Sequence, residues 1–195
     1  MNLNVLVIGH SWVRDLDRFW SEGSTPYQVV HEDCSLNIQT YARPGGTYPD
    51  LIRHFGDFER SLSQKPDVVV LLLGSNDIKV HVPISNIRDQ AVTLFKKIKE
   101  VTPNSKLYII EIEDRYLDRE NRHGTPDKDE YRRLSRYLNK NLRKAPYKDG
   151  VLVVRGGLLS NDSLYKRDGI HLNLAGLRAY ASWLERSVVQ LFGKQ

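Results

Sequence analysis

Four short apolar runs, Val5 to Ile8, Val68 to Leu73, Leu107 to Ile112 and Val151 to Val154, are separated by longer stretches with helical patterning. Uninterrupted runs of this kind suit strands buried on both faces, because a strand with one wet face alternates apolar and polar residues. Between them, Val13 to Trp20, Leu51 to Leu62, Ile87 to Val101, Glu130 to Leu142 and Leu174 to Phe192 carry the spacing of amphipathic helices. A more polar alternation, with Leu36, Ile38 and Thr40 set against Asn37, Gln39 and Tyr41, reads as an edge strand. Alternating strand and helix predicts an α/β fold with a mostly five-stranded parallel sheet, since right-handed crossovers lay helices over both sheet faces.

A chain of 195 residues suits one domain spanning 1–195, able to bury roughly 70% of its unfolded surface. No Pro/Gly/Ser linker, repeat or low-complexity tract interrupts it. Its 40% hydrophobic and 27% charged residues exclude a disordered or collagen-like chain. No apolar run approaches the roughly 20 residues of a membrane span. Met1 to Asn4 leads straight into the first strand without a basic leader, and a single cysteine, Cys34, excludes an internal disulfide. These features set the expectation of an intracellular, cytoplasmic protein, with Cys34 packed as a small hydrophobe.

In open parallel sheets the site lies beyond the carboxyl ends of the strands, so chemistry is sought just after each apolar run. After the first comes Gly9-His10-Ser11-Trp12, where Ser11 is either a helix cap or a nucleophile beside the positive end of a helix. After the polar strand comes Arg43-Pro44-Gly45-Gly46-Thr47, a turn whose glycines also let backbone N–H groups approach a ligand. Gly74-Ser75-Asn76-Asp77 follows Leu73; Asn76 offers a neutral amide donor, or caps the next helix. Before the last helix, Asp168-Gly169-Ile170-His171 places a carboxylate where it can accept from imidazole Nδ1 and leave Nε2 for a serine hydroxyl. Each signal alone is weak, but all four fall on one edge of the predicted sheet.

In this order, the four blocks resemble the signature blocks of the SGNH (GDSL-like) hydrolases, a resemblance that runs from Val5 to the final helix. It implies a flavodoxin-like, three-layer α/β/α fold and serine esterase or lipase-type activity, often on acetyl esters or small lipids. Under this resemblance Ser11 matches the nucleophile, and Asp168 and His171 complete the triad. Asn76 and one of the block-two glycines match the oxyanion donors alongside Ser11 N–H; the Thr47 and Leu51 spacing favours Gly45, with Gly46 left open. His10 stands where many members carry aspartate. The phrases around Ser11 and His171 are also similar to the esterase domains in first-open-reading-frame proteins of LINE-type retrotransposons and their animal cellular relatives.

The expectation is therefore a metal-independent, cofactor-free serine ester hydrolase acting on a small acyl or lipid ester, with His10 and Trp12 beside the substrate. An alternative is a non-catalytic module that binds nucleic acid or an anionic membrane through a basic helix. Arg132, Arg133, Arg136, Lys140, Arg143 and Lys144 give segment 131–144 one broad basic face, which could meet phosphates but, with no interleaved aromatic stacking platform, reads first as a solvated face. His31, His54, His81 and His123 lack metal-ligand spacing. The breaker-rich stretch Asp118 to Asp129 reads as an exposed loop at the rim of the site. No feature of the sequence speaks to oligomeric state.

Overall fold

The computed structural model describes residues 1–21, 27–31, 34–62, 64–79, 81–114, 124, 126–145, 147, 150–156 and 161–193. Six strands, β1 (Asn2–Gly9), β2 (Tyr27–His31), β3 (Cys34–Ala42), β4 (Val68–Leu72), β5 (Lys106–Ile110) and β6 (Val151–Val154), form one sheet in the order β2-β3-β1-β4-β5-β6. The last five in that order are mutually parallel, and β2 pairs antiparallel with β3. The helices are α1 (Ser11–Trp20), α2 (Tyr48–Arg53), α3 (Phe55–Ser61), α4 (Ile84–Val101), α5 (Lys128–Lys144) and α6 (Leu174–Gly193).

Alternation along β1 divides the interior into two layers. Leu3, Val5 and Val7 face one core with Val13 and Leu16 of α1 and Tyr180, Leu184 and Val188 of α6. Leu6 and Ile8 face the other, with Leu51 of α2, Phe58 of α3, Leu94 of α4 and Leu138 of α5. Successive side chains of a strand point to opposite faces, so the near-continuous apolar runs of β1 and β4 are what a sheet covered on both sides requires.

Three expectations need correction. The polar alternation is not an edge strand, because β2 lies outside it with Val29 opposite Leu36. The adjacent Val29 and Val30 hide β2 from any alternation pattern: Val29 packs against the core while Val30 is 70% exposed. The true far edge is β6, where Leu152 is 40% exposed rather than buried. The predicted helix from Leu51 to Leu62 is two helices, broken at His54, whose φ of −101° and ψ of 23° leave the helical region. Most of the stretch Asp118 to Asp129 lies outside the described residues. Its last two residues already belong to α5, where the Asp127 side chain accepts from Glu130 N–H at 2.8 Å.

The sheet register sets where chemistry can gather. Gly9 at the end of β1 lies opposite Ala42 on one side and Leu72 on the other, so three strands finish level. A Cβ on Gly9 would stand 2.1 Å from Leu72 O, so only glycine lets the chain pass β4 before turning into α1. The strand order runs both ways from β1, making this the point at which a ligand crevice opens in such sheets.

Candidate active site

Ser11 is the first residue of α1, not its cap. The cap is His10, whose Nδ1 accepts from Trp12 N–H at 3.3 Å. Histidine is outside the usual capping set, but an imidazole nitrogen carrying a lone pair satisfies an orphan N–H as an aspartate oxygen would. His10 thus fills the aspartate's place at this helix start, leaving Ser11 to present its hydroxyl. Ser11 N–H makes no hydrogen bond among the described residues and sits in the first turn of α1.

Ser11 Oγ lies 3.1 Å from His171 Nε2, and His171 Nδ1 lies 2.8 Å from Asp168 Oδ2. The other carboxylate oxygen, Oδ1, accepts from the backbone N–H of both Ile170 and His171, each at 2.9 Å. Burial pushes the Asp168 carboxyl up, but these N–H donors and the imidazole outweigh it and hold the group below its ordinary value. An ionised Asp168 selects the tautomer with hydrogen on Nδ1, which leaves the Nε2 lone pair directed at the serine.

The turn bearing His171 is fixed to the rest of the molecule. Trp12 Nε1–H donates to Ile170 O at 2.9 Å, and Lys166 N–H donates to His171 O at 2.7 Å. Asn173 closes the segment: its Oδ1 accepts from Gly176 N–H at 3.0 Å in α6 and its Nδ2 donates to Ser163 O at 2.6 Å. Trp12 itself is 7% exposed, packed near Tyr165 and Tyr180, and lines the cleft beside Ser11.

Asn76 does not cap a helix, since α4 begins only at Ile84 with Pro83 before it. Its Nδ2 donates to Gly46 O at 3.2 Å, and its side chain lines the same cleft as Ser11. Gly46 N–H donates to Arg43 O at 2.8 Å, whereas Gly45 N–H makes no hydrogen bond among the described residues. The glycine turn, Asn76 and Ser11 are thus gathered at the level ends of β3, β4 and β1. The cleft is open to solvent, and its far wall is Ile110, Glu111, Ile112, Glu113 and Asp114 after β5.

Asp77 is the site feature that the sequence did not single out. Only 6% exposed, it accepts from Tyr48 N–H at 3.0 Å through Oδ1, while its Oδ2 is buried with no hydrogen-bond partner among the described residues. The burial pushes its carboxyl up to about 7.

Four of the six cations of segment 131–144 lie in ion pairs with acidic groups of the same chain. Arg132 and Arg136 both meet Asp114, at 3.1 and 3.8 Å; Arg133 meets Glu130 at 3.7 Å, and Arg143 pairs with Glu111. His54 pairs with Asp57 at 3.3 Å, and His123 lies outside the described residues. Cys34 is buried on β3. No described helix is long and apolar enough to cross a membrane.

A mostly parallel sheet with helices on both faces, and a serine, an imidazole and a carboxylate in sequence at its carboxyl edge, define the class as a hydrolase of the SGNH type. The chain belongs to the GDSL-like lipase/acylhydrolase family, whose model matches residues 9–179. Similar folds occur in a carbohydrate esterase of family 3 from Talaromyces cellulolyticus, at 16% identity over 99% of each chain and a TM-score of 0.66. A GDSL-like lipase from Bacteroides thetaiotaomicron is 14% identical over 96% of this chain and 88% of that one, with a TM-score of 0.66. A psychrotrophic esterase from Pseudoalteromonas sp., in a structure inhibited by monoethylphosphonate, is 15% identical over 98% and 99%, with a TM-score of 0.62. No curated protein matches the chain in sequence.

Proposed function

We propose that this enzyme hydrolyses short acyl esters through an acyl-enzyme, with Ser11 as nucleophile and His171 and Asp168 as its proton-handling pair. The observation that carries this reading is the unbroken relay from Ser11 Oγ through both imidazole nitrogens to Asp168 Oδ2, at 3.1 and 2.8 Å. As Ser11 Oγ attacks the ester carbon, its proton passes to His171 Nε2, and the imidazolium formed is stabilised by the ionised Asp168. The carbonyl oxygen becomes an oxyanion. Its donors in this proposal are Ser11 N–H, Asn76 Nδ2 and one amide of the Gly45-Gly46 turn. His171 then returns the proton to the leaving alcohol, and water repeats the sequence to release the acid.

The reading invokes no metal and no cofactor. A cleft walled by His10, Trp12, Ile110 and Ile112 supports a small acyl group, and the carbohydrate esterase among the fold neighbours makes a short-chain sugar ester a substrate to try. The module alternative has less behind it, because ion pairing takes up much of the α5 charge that would meet phosphate. The narrower likeness to retrotransposon esterase domains adds an intracellular setting to the proposal and no substrate. The test is turnover of para-nitrophenyl acetate by wild type and Ser11→Ala, with and without EDTA. The expected result is loss of at least about 10³-fold in the variant and none with the chelator. Turnover retained by Ser11→Ala, or lost to EDTA and restored by zinc or manganese, overturns the reading.

A further inference from the structure

Three ties join the turn after β4 to the turn after β3. Asn76 Nδ2 donates to Gly46 O at 3.2 Å, Tyr48 N–H donates to Asp77 Oδ1 at 3.0 Å, and Tyr48 Oη–H donates to Leu73 O at 3.3 Å. Between them the Gly74 to Asp77 turn closes on itself, with Asp77 N–H donating to Gly74 O at 3.1 Å. Gly74 has a φ of +107°, and a Cβ there would stand 2.9 Å from the Tyr48 hydroxyl, so only glycine lets the turn lie this close to Tyr48.

We infer that Asp77 is a positioning residue for the oxyanion site, its carboxyl oxygen Oδ1 holding Asn76 in register with the Gly45-Gly46 turn through Tyr48 N–H. The inference rests on the proposed serine esterase reading. Of the three ties, only this one runs from a side chain adjacent in sequence to Asn76 into the first helical residue after the glycine turn. Tyr48 N–H is one of the orphan donors at the start of α2, while Thr47 and Asp50 serve their own pair of donors in a capping box. Removing the Asp77 acceptor leaves a buried N–H unsatisfied and frees both turns to shift by fractions of an ångström. Displacements of that size at a reacting centre are costly, on the order of 10²-fold for about 1 Å.

A buried carboxyl with one bare oxygen would be a poor choice for packing alone, because an apolar side chain of similar shape avoids that desolvation. Its place beside Asn76 fits a hydrogen bond that has a task. An asparagine at position 77 keeps the acceptor oxygen without the charge, whereas alanine and leucine both remove it, leucine without opening a cavity.

The experiment compares steady-state hydrolysis of para-nitrophenyl acetate by wild type, Asp77→Ala, Asp77→Leu and Asp77→Asn, each also melted thermally, with Ser11→Ala as control. Expected are losses of about 10- to 100-fold in kcat for the alanine and leucine variants with KM nearly unchanged, and recovery to within about threefold by asparagine. Alanine and leucine variants within twofold of wild type in kcat overturn the inference, as does an effect confined to KM. So does an asparagine variant as slow as alanine, or failure of both alanine and leucine variants to fold. Activity surviving in Ser11→Ala instead strikes the serine reading itself, which separates the two failures.

Discussion

Asp77, after β4, and Asp168, before α6, are carboxylates in the two polar turns that flank the cleft, and their surroundings push them in opposite directions. Asp77 is buried, has one N–H donor from Tyr48 and one bare oxygen, and is pushed up to about 7 by that burial. Asp168 also feels burial, but two backbone N–H groups and an imidazole reach it, and it is held below its ordinary value. The difference teaches that donor supply, and not depth alone, fixes which carboxyl stays charged. It also matches what the proposed mechanism asks of each turn. In that proposal the part-exposed Asp168 turn carries an imidazole through protonation and back, and the Asp77 turn holds a neutral amide in place without moving a proton.

The sharpest way to break this comparison is Asn76→Ala. A donor aimed at an oxyanion acts mainly once charge has developed, so kcat should fall on the order of 10²-fold, about 3 kcal/mol, with little change in KM. With α4 starting at Ile84 behind Pro83, no helix cap is lost. The stability cost should stay near the roughly 1 kcal/mol of one hydrogen bond, the bond to Gly46 O. A melting temperature several degrees lower with kcat within twofold of wild type would make Asn76 a structural tie only, and leave the oxyanion to backbone donors.

The comparison also sets the pH dependence of stability. A carboxyl raised from 3.8 to about 7 keeps its proton in the folded state at pH values where the unfolded chain releases it. Stability therefore falls as pH rises from about 4 to about 7, by at most on the order of 4 kcal/mol at 1.36 kcal/mol per pKa unit. Asp168 works with the opposite sign. Its depressed folded value contributes stability above the ordinary carboxylate range that is lost as pH falls through that value. With its side chain 39% exposed, solvent screening keeps this contribution small. Melting curves from pH 3 to 8 for wild type, Asp77→Asn and Asp168→Asn separate the two. Asp77→Asn should flatten the fall between pH 4 and 7, and Asp168→Asn should blunt the loss at the acid end. Parallel curves for wild type and Asp77→Asn across pH 4 to 7 would mean that the buried carboxyl is not raised.

The contrast also marks how far the sequence is legible. β1 and β4 announce themselves because both faces are covered, so Val5 to Ile8 and Val68 to Leu73 are apolar throughout. The Asp168 turn is legible too, since the carboxylate and imidazole it brings together stand three residues apart. β2 is hidden because Val29 and Val30 sit side by side, one packed and one exposed. The break at His54 is hidden because apolar spacing continues across it from Leu51 to Phe58. Asp77 is hidden for a different reason. Its partner Tyr48 lies 29 residues earlier, and the pairing exists only because β3 and β4 end level on either side of β1.

The smallest expected effect concerns His10, the cap that the sequence could not reveal because histidine is not a usual capping residue. His10→Ala removes the acceptor for Trp12 N–H and should cost about 1 kcal/mol, roughly 2–4 °C in melting temperature for a chain of this size. His10→Asp restores an acceptor and adds a negative charge at the positive end of α1, so it should recover most of that loss. What it cannot restore is the edge contact between the His10 and Trp12 rings, 5.9 Å apart, so recovery should be incomplete. The effect should reach activity as well, because Trp12 Nε1–H holds the carbonyl of Ile170, the neighbour of His171. A loosened first turn lets that carbonyl drift, and kcat in His10→Ala should drop by less than in Asn76→Ala while His10→Asp stays closer to wild type. If His10→Asp is less stable than His10→Ala, the ring contact outweighs the cap, and the turn at Ser11 is set by aromatic packing and not by the hydrogen bond.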